Sequence, residues 1–165
     1  MQEASNPPGR RRLVVFFLTA LLVVAADQLS KIWVRSHIAL GDSLPVTGWL
    51  QLSHVRNTGS AFGLFQGQRL PLIIAAFVGI ALLLAFAFLV YRWFPMLDNT
   101  LGRVALGLVL GGTTGNLIDR LRFGYVTDFI DFGFWPAFNV ADSSTVVGFI
   151  ILAGLLLLPA RAGKR

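Results

Sequence analysis

The chain of 165 residues contains no cysteine and only two histidines. Without cysteine it can form no disulfide, no thiolate metal site, no cysteine nucleophile and no lipid anchor on an N-terminal cysteine. Charged residues are also scarce, at 13% of the chain, which is about half the share usual in soluble domains. A soluble protein of this size and composition would have too few charged residues to cover its surface, so the composition argues against a soluble fold.

Several catalytic signatures are also missing. The chain has no His-Glu-x-x-His motif of a zinc peptidase and no Gly-x-Ser-x-Gly turn that would present a nucleophilic serine. It has no Gly-x-x-x-x-Gly-Lys loop for binding phosphates. Zinc-dependent, serine-dependent and P-loop chemistries are thus unsupported.

Apolar residues, by contrast, make up 55% of the chain and concentrate in four long stretches. A helix needs about 20 apolar residues to cross a bilayer and satisfies its own backbone hydrogen bonds there. The sequence therefore predicts an all-α membrane protein, a four-transmembrane-helix bundle forming one integral membrane domain over residues 1–165. The predicted spans are residues 13–34, 70–93, 104–121 and 143–160.

The placement of basic residues predicts the topology. One side of the predicted bundle, which has both termini and the short middle connection, is strongly basic, with Glu3 and Asp98 as its acidic residues. Because basic residues favour the cytoplasmic side, we expect both termini in the cytoplasm and read the net charge of +6 as topology rather than nucleic-acid binding. The basic residues on that side are Arg10, Arg11, Arg12, Arg92, Arg103, Arg161, Lys164 and Arg165, and those on the outer side are Lys31, Arg35, Arg56, Arg69, Arg120 and Arg122.

The first span has an alternative interpretation as a cleaved signal peptide. A basic segment precedes an apolar run of suitable length, and Val24-Ala25-Ala26 is a possible cleavage site. Cleavage there would leave only three spans and would discard the pairing of Asp27 with Lys31 described below. We therefore favour the four-span interpretation.

The outer connections have two distinct patterns. Residues 49–55 alternate with period two, which predicts a short strand at the interface. Residues 123–138 are rich in aromatic side chains, which is typical of an aromatic belt at the level of the lipid headgroups.

Ionisable residues near membrane depth are candidates for function, because burying them is costly. Asp27 and Lys31 stand four residues apart in the first span, so they can form an ion pair within the helix. This pair could anchor the helix end or contact a substrate, and the pattern leaves both possibilities open.

A second polar group ends the third span. Asn116 shares a helix face with Arg120 and another with Asp119, so these three side chains can supply hydrogen-bond partners to one another. Nearby glycines would let a neighbouring helix approach closely. These glycines are Gly111, Gly112 and Gly115.

Two aspartates flank the aromatic outer connection, namely Asp128 and Asp142. Asp142 is also well placed to be the N-cap of the fourth span, which alone would explain it. If the two carboxylates meet at low dielectric, one keeps its proton, and the pair can activate a water as in aspartic proteases. Spacing in the sequence leaves open whether they meet.

Two other classes of function use the same residues. A small proton-coupled membrane carrier would use the carboxylates as a relay, but relay acids should be spread through the membrane interior. The second span has no acid, and the fourth has only Asp142. A non-catalytic scaffold would use the aspartates as caps and ion pairs, so isosteric replacement by asparagine would be mild.

Together, five short motifs resemble the bacterial lipoprotein signal peptidase family, also called signal peptidase II, over nearly the whole chain. Each motif is weak alone, but five in this order on four spans are highly specific. One small departure is Ser60, where the family pattern leads us to expect alanine. The motifs are Asp27-Gln28-x-x-Lys31, Asn57-Thr58-Gly59-Ser60-Ala61-Phe62, Gly115-Asn116-x-x-Asp119-Arg120, Val126-Thr127-Asp128-Phe129 and Phe138-Asn139-x-Ala141-Asp142-Ser143.

The resemblance implies a membrane aspartic endopeptidase in which Asp128 and Asp142 are catalytic. It implies that a second set of residues orients this pair or contacts the substrate, and that Asp27 and Lys31 support the site. It also implies a small β-sheet in the first extracytoplasmic segment. The second set is Asn57, Asn116, Arg120 and Asn139.

The implied substrate is a prolipoprotein whose cysteine already has a diacylglyceryl group, cut just before that cysteine. The implied location is the bacterial cytoplasmic (inner) membrane, with the active site near the outer face and membrane lipid around it. No metal or cofactor is implied, and nothing in the sequence demands more than a monomer.

Overall fold

A computed structural model of the chain describes residues 8–59, 67–94, 97 and 99–157. Four helices and three strands follow one another in the order α1, β1, β2, α2, α3, β3, α4. The helices are α1 Pro8–His37, α2 Arg69–Trp93, α3 Thr100–Phe123 and α4 Val140–Leu157. The strands are β1 Ser43–Thr47, β2 Leu50–Asn57 and β3 Val126–Asp131.

All four helices are long and apolar enough to cross a membrane. Each overlaps one predicted span, and the four-helix architecture is confirmed. The most apolar window of α3 is 61% buried, against 22%, 6% and 17% in α1, α2 and α4. The helix α3 is therefore central, and the other three present most of their apolar side chains outward, as lipid-facing helices do.

Close helix packing depends on small residues of α3, as the sequence predicted. A Cβ atom added to Gly111 would lie 2.6 Å from Val23 Cβ on α1, and one added to Gly115 would lie 2.6 Å from the Asp27 carboxylate. A Cβ atom at Gly112 would collide with the backbone of α4 at Ala141. These glycines allow α1 and α4 to pack directly on the backbone of α3.

The helix α3 ends at Gly124, whose φ of 81° lies in the left-handed region that glycine adopts without strain. The Gly124 amide donates to the carbonyl oxygen of Arg120. Arg69, at the start of α2, donates to the carbonyl oxygens of Arg120 and Leu121 at 3.1 and 2.9 Å. The exposed carbonyls at this helix end are thus partly satisfied by the neighbouring helix.

The three strands form an antiparallel sheet in the order β1-β2-β3. Two strands lie between α1 and α2, in the segment where a strand was predicted, but β3 lies between α3 and α4 and was not predicted. The first four residues of β3 are all buried, so the strand has no polar face to give a period of two. The register pairs Val55 with Asp128 and Asn57 with Val126.

The sheet is fixed to the bundle by a small apolar cluster of Val34, Ile38 and Phe129. Val34 lies in the last turns of α1, Ile38 directly follows that helix, and Phe129 directly follows Asp128 in β3. This packing holds the carboxylate-bearing strand over the ends of the helices.

Several predicted features lie outside the described residues. They are residues 60–62 of the second motif, residues 158–160 of the fourth predicted span, and the charged residues Glu3, Asp98, Arg161, Lys164 and Arg165.

Candidate active site

The Asp128 side chain lies in the middle of β3 and is only 2% exposed. Its two carboxylate oxygens accept hydrogen bonds from two different asparagines. Asn57, at the end of β2, donates to Oδ2 at 2.9 Å, and Asn139, just before α4, donates to Oδ1 at 2.6 Å. The pairing of β2 with β3 brings Asn57 to this carboxylate.

Asp142 lies in the first turn of α4, but it is not the N-cap that the sequence suggested. Asn139 has that position, because its Oδ1 accepts from the Asp142 amide at 2.9 Å. Asp142 Oδ2 accepts in return from the Asn139 amide at 3.2 Å. The two residues form a capping box, in which the cap and the third helical residue exchange hydrogen bonds.

Asn116 of α3 connects this corner to the bundle. Its Nδ2 donates to Asp142 Oδ1 at 2.8 Å. Its Oδ1 accepts from Lys31 Nζ at 2.9 Å and from Asn139 Nδ2 at 3.2 Å. Because Lys31 can only donate, it fixes which end of the Asn116 amide faces Asp142.

Asp27 and Lys31 form the predicted ion pair, with Nζ 2.8 Å from Oδ2 and both side chains fully buried. Asp27 Oδ1 also accepts from the backbone amide of Ala141 at 3.0 Å. The pair therefore ties α1 to the first turn of α4. Full burial leaves neither side chain any surface with which to contact a substrate.

Asp119 is also fully buried, and its partners differ from the prediction. Its Oδ2 lies 3.4 Å from Lys31 Nζ and 3.7 Å from Arg35, and accepts from the Thr127 amide at 3.1 Å. Gln28 donates to Oδ1 at 3.3 Å. The residues Asn116, Asp119 and Arg120 were expected to partner one another, but α1 and β3 supply these partners instead. Close packing against α3 brings polar groups of other elements nearer than neighbours along one helix.

Arg120 points to the other side of α3. Its guanidinium donates to the carbonyl oxygen of Gly59 at 3.2 Å. Together with Asn116 and Asp142 it lines a cavity of about 270 Å³. The remaining walls come from α2, α3 and α4, at Ala76, Thr113, Thr145 and Val146.

The electrostatics of this corner favour a proton on Asp128. Burial, and then the charge of Asp142, raise the pKa of Asp128 to about 7. Hydrogen bonds from Asn57 and Asn139 and the charge of Lys31 act in the opposite direction. At neutral pH this carboxyl can therefore hold a proton while a neighbouring one is ionised.

Comparison with known proteins decides the family. The family model described as signal peptidase (SPase) II matches residues 19–158. The chain belongs to the signal peptidase II family. This is a family of peptidases, so the chain is a hydrolase, and the predicted family is confirmed.

Curated members of the signal peptidase II family are similar over most of their length. A lipoprotein signal peptidase of Moorella thermoacetica is 50% identical over 147 residues, covering 88% of this chain and 94% of its own. One from Dehalococcoides mccartyi is 49% identical over 147 residues, covering 89% of each.

Solved structures of bacterial membrane enzymes have the same fold. One, determined by the in meso method at 2.3 Å resolution, has a TM-score of 0.79 and 31% identity, covering 91% of this chain and 92% of its own. A second, at 1.9 Å, has a TM-score of 0.75 and 32% identity, covering 87% and 93%.

The structure places all eight predicted site residues at one end of the signal peptidase II bundle. Three further residues belong to the same network but were not predicted as site residues: Gln28, Arg35 and Thr127. Gln28 is part of the first quoted motif, and its amide donates to Asp27, Gly115 and Asp119. Arg35 donates to Thr127 Oγ1 at 3.0 Å. Lys31 and Arg35 are four residues apart and share a face of α1, so this spacing could have identified Arg35 from the sequence.

Proposed function

We propose that this chain removes the signal peptide from prolipoproteins whose cysteine has a diacylglyceryl group, cutting just before that cysteine. Membership of the signal peptidase II family supports a peptidase acting on signal peptides, and the curated relatives have the name lipoprotein signal peptidase. We place the reaction at the outer face of the bacterial cytoplasmic membrane, with both termini on the cytoplasmic side.

The proposed catalytic groups are the carboxyls of Asp128 and Asp142. The observation that carries this assignment is the position of Asn139, whose side chain contacts Asp128 while its backbone amide contacts Asp142. One short segment thus holds both carboxyls. No other pair of carboxyls in the described part of the chain shares an asparagine in this way.

The proposed reaction uses one proton and one water. Ionised Asp142 takes a proton from the water, whose oxygen bonds to the scissile carbonyl carbon, while protonated Asp128 gives its proton to the carbonyl oxygen. The resulting gem-diol collapses as the C–N bond breaks, with the proton on Asp142 going to the leaving nitrogen and a diol proton returning to Asp128. The pKa of about 7 for Asp128 is suited to this donor role near neutral pH.

The other predicted residues have supporting roles in this proposal. Asn57, Asn116 and Asn139 orient the two carboxyls through the hydrogen bonds described above. Arg120 faces the same cavity and is available to bind substrate carbonyl or lipid oxygens. Asp27 and Lys31 hold α1 against α3 and α4.

Access to the site follows from the helices around it. The cavity is walled by three membrane-spanning helices, α2, α3 and α4. A signal peptide that is itself in the bilayer can therefore reach the carboxyls from the side. The diacylglyceryl group would hold the scissile bond at the depth of the headgroups, where Asp128 and Asp142 lie in this topology.

A proton-coupled carrier would need acids distributed along its path. In the described helices the acidic residues are Asp27, Asp119 and Asp142, and all three lie at the same end of the bundle as Asp128. This arrangement suits one local site better than a transmembrane relay.

The test is a cleavage assay with purified protein in lipid. We expect it to cut a diacylglyceryl-modified prolipoprotein and to leave the same prolipoprotein uncut when the cysteine is unmodified. Equal cleavage of both forms would reject the proposed substrate class while keeping the peptidase. Absence of any cleavage by folded protein would reject the peptidase assignment itself.

A further inference from the structure

Some basic residues on the outer side of this bundle take no part in the buried polar network. Of the six basic residues predicted on that side, Lys31 and Arg35 approach buried carboxylates. Arg120 binds the carbonyl of Gly59 and faces the cavity. The three that remain, Arg56, Arg69 and Arg122, are all exposed.

Two of these arginines belong to a continuous stack with aromatic rings, which we call the arginine–aromatic stack. Arg56 Cζ lies 4.7 Å from the ring centroid of Tyr125, and Arg122 Cζ lies 5.3 Å from that of Phe123. The two rings are themselves stacked, with centroids 5.8 Å apart and an interplanar angle of 30°. Arg35 lies over the Phe123 ring as well, at 4.7 Å.

Within the stack, Arg35 lies 3.7 Å from the buried Asp119 carboxylate, whereas Arg56 and Arg122 approach no carboxylate in the described part of the chain. In the described ranges, Arg69 likewise forms no ion pair with a carboxylate. The Arg69 guanidinium donates to the carbonyl oxygens of Arg120 and Leu121 in the last turn of α3. The partly exposed carboxylate of Asp131 lies at the far end of β3, where it accepts from Gln51 and Ser53. The sheet therefore has a basic end at the stack.

The stack also lies beside the end of a helix that is long and apolar enough to cross a membrane. Phe123 is the last residue of the membrane-spanning helix α3, and Arg56 precedes Asn57 in β2. Lys and Arg are less frequent in outer connections than in cytoplasmic ones, so two exposed arginines side by side on the outer side are unusual. A guanidinium group whose Cζ lies over a ring can still direct N–H groups away from that ring, and those N–H groups match the oxygens of a phosphate.

We propose that the arginine–aromatic stack is a binding site for the headgroup of an anionic phospholipid in the outer leaflet. The phosphodiester would accept hydrogen bonds from Arg56 and Arg122 while the acyl chains follow the exposed apolar surface of the bundle. A zwitterionic headgroup has an ammonium group that the two arginines repel, so the site should prefer a lipid with net negative charge.

Native mass spectrometry of the detergent-purified protein tests this proposal without any cleavage assay. The protein is exposed to equimolar phosphatidylglycerol and phosphatidylcholine, and the retained lipids are counted. We expect the wild type to retain phosphatidylglycerol preferentially. Each of Arg56→Gln and Arg122→Gln should weaken that retention about fivefold, the factor expected for one basic residue at an anionic surface.

The matched control is Arg11→Gln, an exposed arginine at the opposite end of the bundle, which should retain the lipid as the wild type does. A second arm adds glycerol phosphate, which has the anion but no acyl chains and should not displace the lipid. Equal retention of the two lipids by the wild type would overturn the proposal, as would an unchanged preference in the double variant that combines Arg56→Gln with Arg122→Gln. Displacement of the lipid by glycerol phosphate would overturn the lipid proposal and show that the stack binds simple anions.

Since Arg56 and Arg122 lie at the surface, the variants should fold. An unchanged thermal transition in detergent would establish this. If the double variant is unstable, the Arg56→Lys and Arg122→Lys pair keeps the charge but loses the planar fork. That pair should retain phosphatidylglycerol more weakly than the wild type, and retention equal to the wild type would count against the stack geometry.

Discussion

Asn139 and Asp142 exchange hydrogen bonds across the first turn of α4. The Asn139 side-chain oxygen accepts from the Asp142 amide at 2.9 Å, and the Asp142 carboxylate accepts from the Asn139 amide at 3.2 Å. The candidate catalytic carboxyl of Asp142 is therefore itself part of the N-terminal cap of α4. The side-chain Nδ2 of Asn139 also donates to Asp128, so a single residue sets the position of both carboxyls.

Substitutions of Asn139 can separate its role as the cap of α4 from its hydrogen bond to Asp128. Asn139→Ser keeps an N-cap acceptor but removes the donor to Asp128. We expect helix stability close to wild type and a cleavage rate lower by about 10- to 100-fold, the effect of leaving a buried hydrogen-bonding group without its partner. Thermal unfolding and kcat in detergent measure the two effects separately.

Asn139→Ala is the matched comparison, because it also removes the cap. It should have the same catalytic defect and unfold with about 1 kcal/mol less stability. Full activity in either variant would show that the Asn139 side chain does not position Asp128.

The pH dependence of cleavage should follow Asp128. Its pKa is raised to about 7, so the pair loses its shared proton as the pH rises through that value, and kcat/KM should then fall about tenfold per pH unit. Because the folded value exceeds that of a free aspartate, about 3.9, protonation of this group favours folding. That contribution is complete below about pH 4 and is lost by about pH 7.

Asn57 offers a direct test of this interpretation. Its hydrogen bond lowers the pKa of Asp128, so Asn57→Ala should move the alkaline limb of the pH–rate profile to higher pH. A limb that stays in place, or moves to lower pH, would show that another group titrates.

Asp119 should behave as a structural residue. Its carboxylate is buried against Lys31 and Arg35 and is not among the side chains that line the cavity. Asp119→Asn should lower stability by about 1–3 kcal/mol, as expected when a buried hydrogen-bonded group loses its match. The folded fraction should keep most of its activity. Complete loss of cleavage in stable protein would make Asp119 part of the catalytic machinery.

Lys31 should matter for both stability and activity. Lys31→Met leaves the Asp27 carboxylate buried without its partner, which typically costs about 3–5 kcal/mol. The double variant Asp27→Asn with Lys31→Met should recover much of that stability. Its kcat should stay low, because Asn116 would still lack the donor that orients it toward Asp142. Wild-type kcat in the double variant would remove this orienting role.

The sequence predicted the helices well because their signal is local. A run of about 20 apolar residues identifies a span without knowledge of its neighbours. The strand β3 gave no such signal, since Val126–Phe129 are buried and lack a polar face. Its existence depends on pairing with β2, a contact distant in the chain.

The same limit applies to the site. The sequence indicated that Asp128 and Asp142 matter, but their approach depends on the sheet and on the packing of α4 against α3. The role of Asn139 as the cap was assigned to Asp142, because both residue types favour that position. The partners of Asp119 come from α1 and β3, so no spacing within α3 could have revealed them.

The central claim is that Asp128 and Asp142 together activate water. The most direct measurement compares cleavage of a diacylglyceryl-modified prolipoprotein by purified Asp128→Asn, Asp142→Asn and Asp131→Asn proteins of equal thermal stability. Asp131 lies in the same strand as Asp128 but points to Gln51 and Ser53, so its variant is the matched control. We expect no detectable cleavage by the first two and near-normal cleavage by the third. Substantial activity in either Asp128→Asn or Asp142→Asn would contradict the two-carboxylate mechanism.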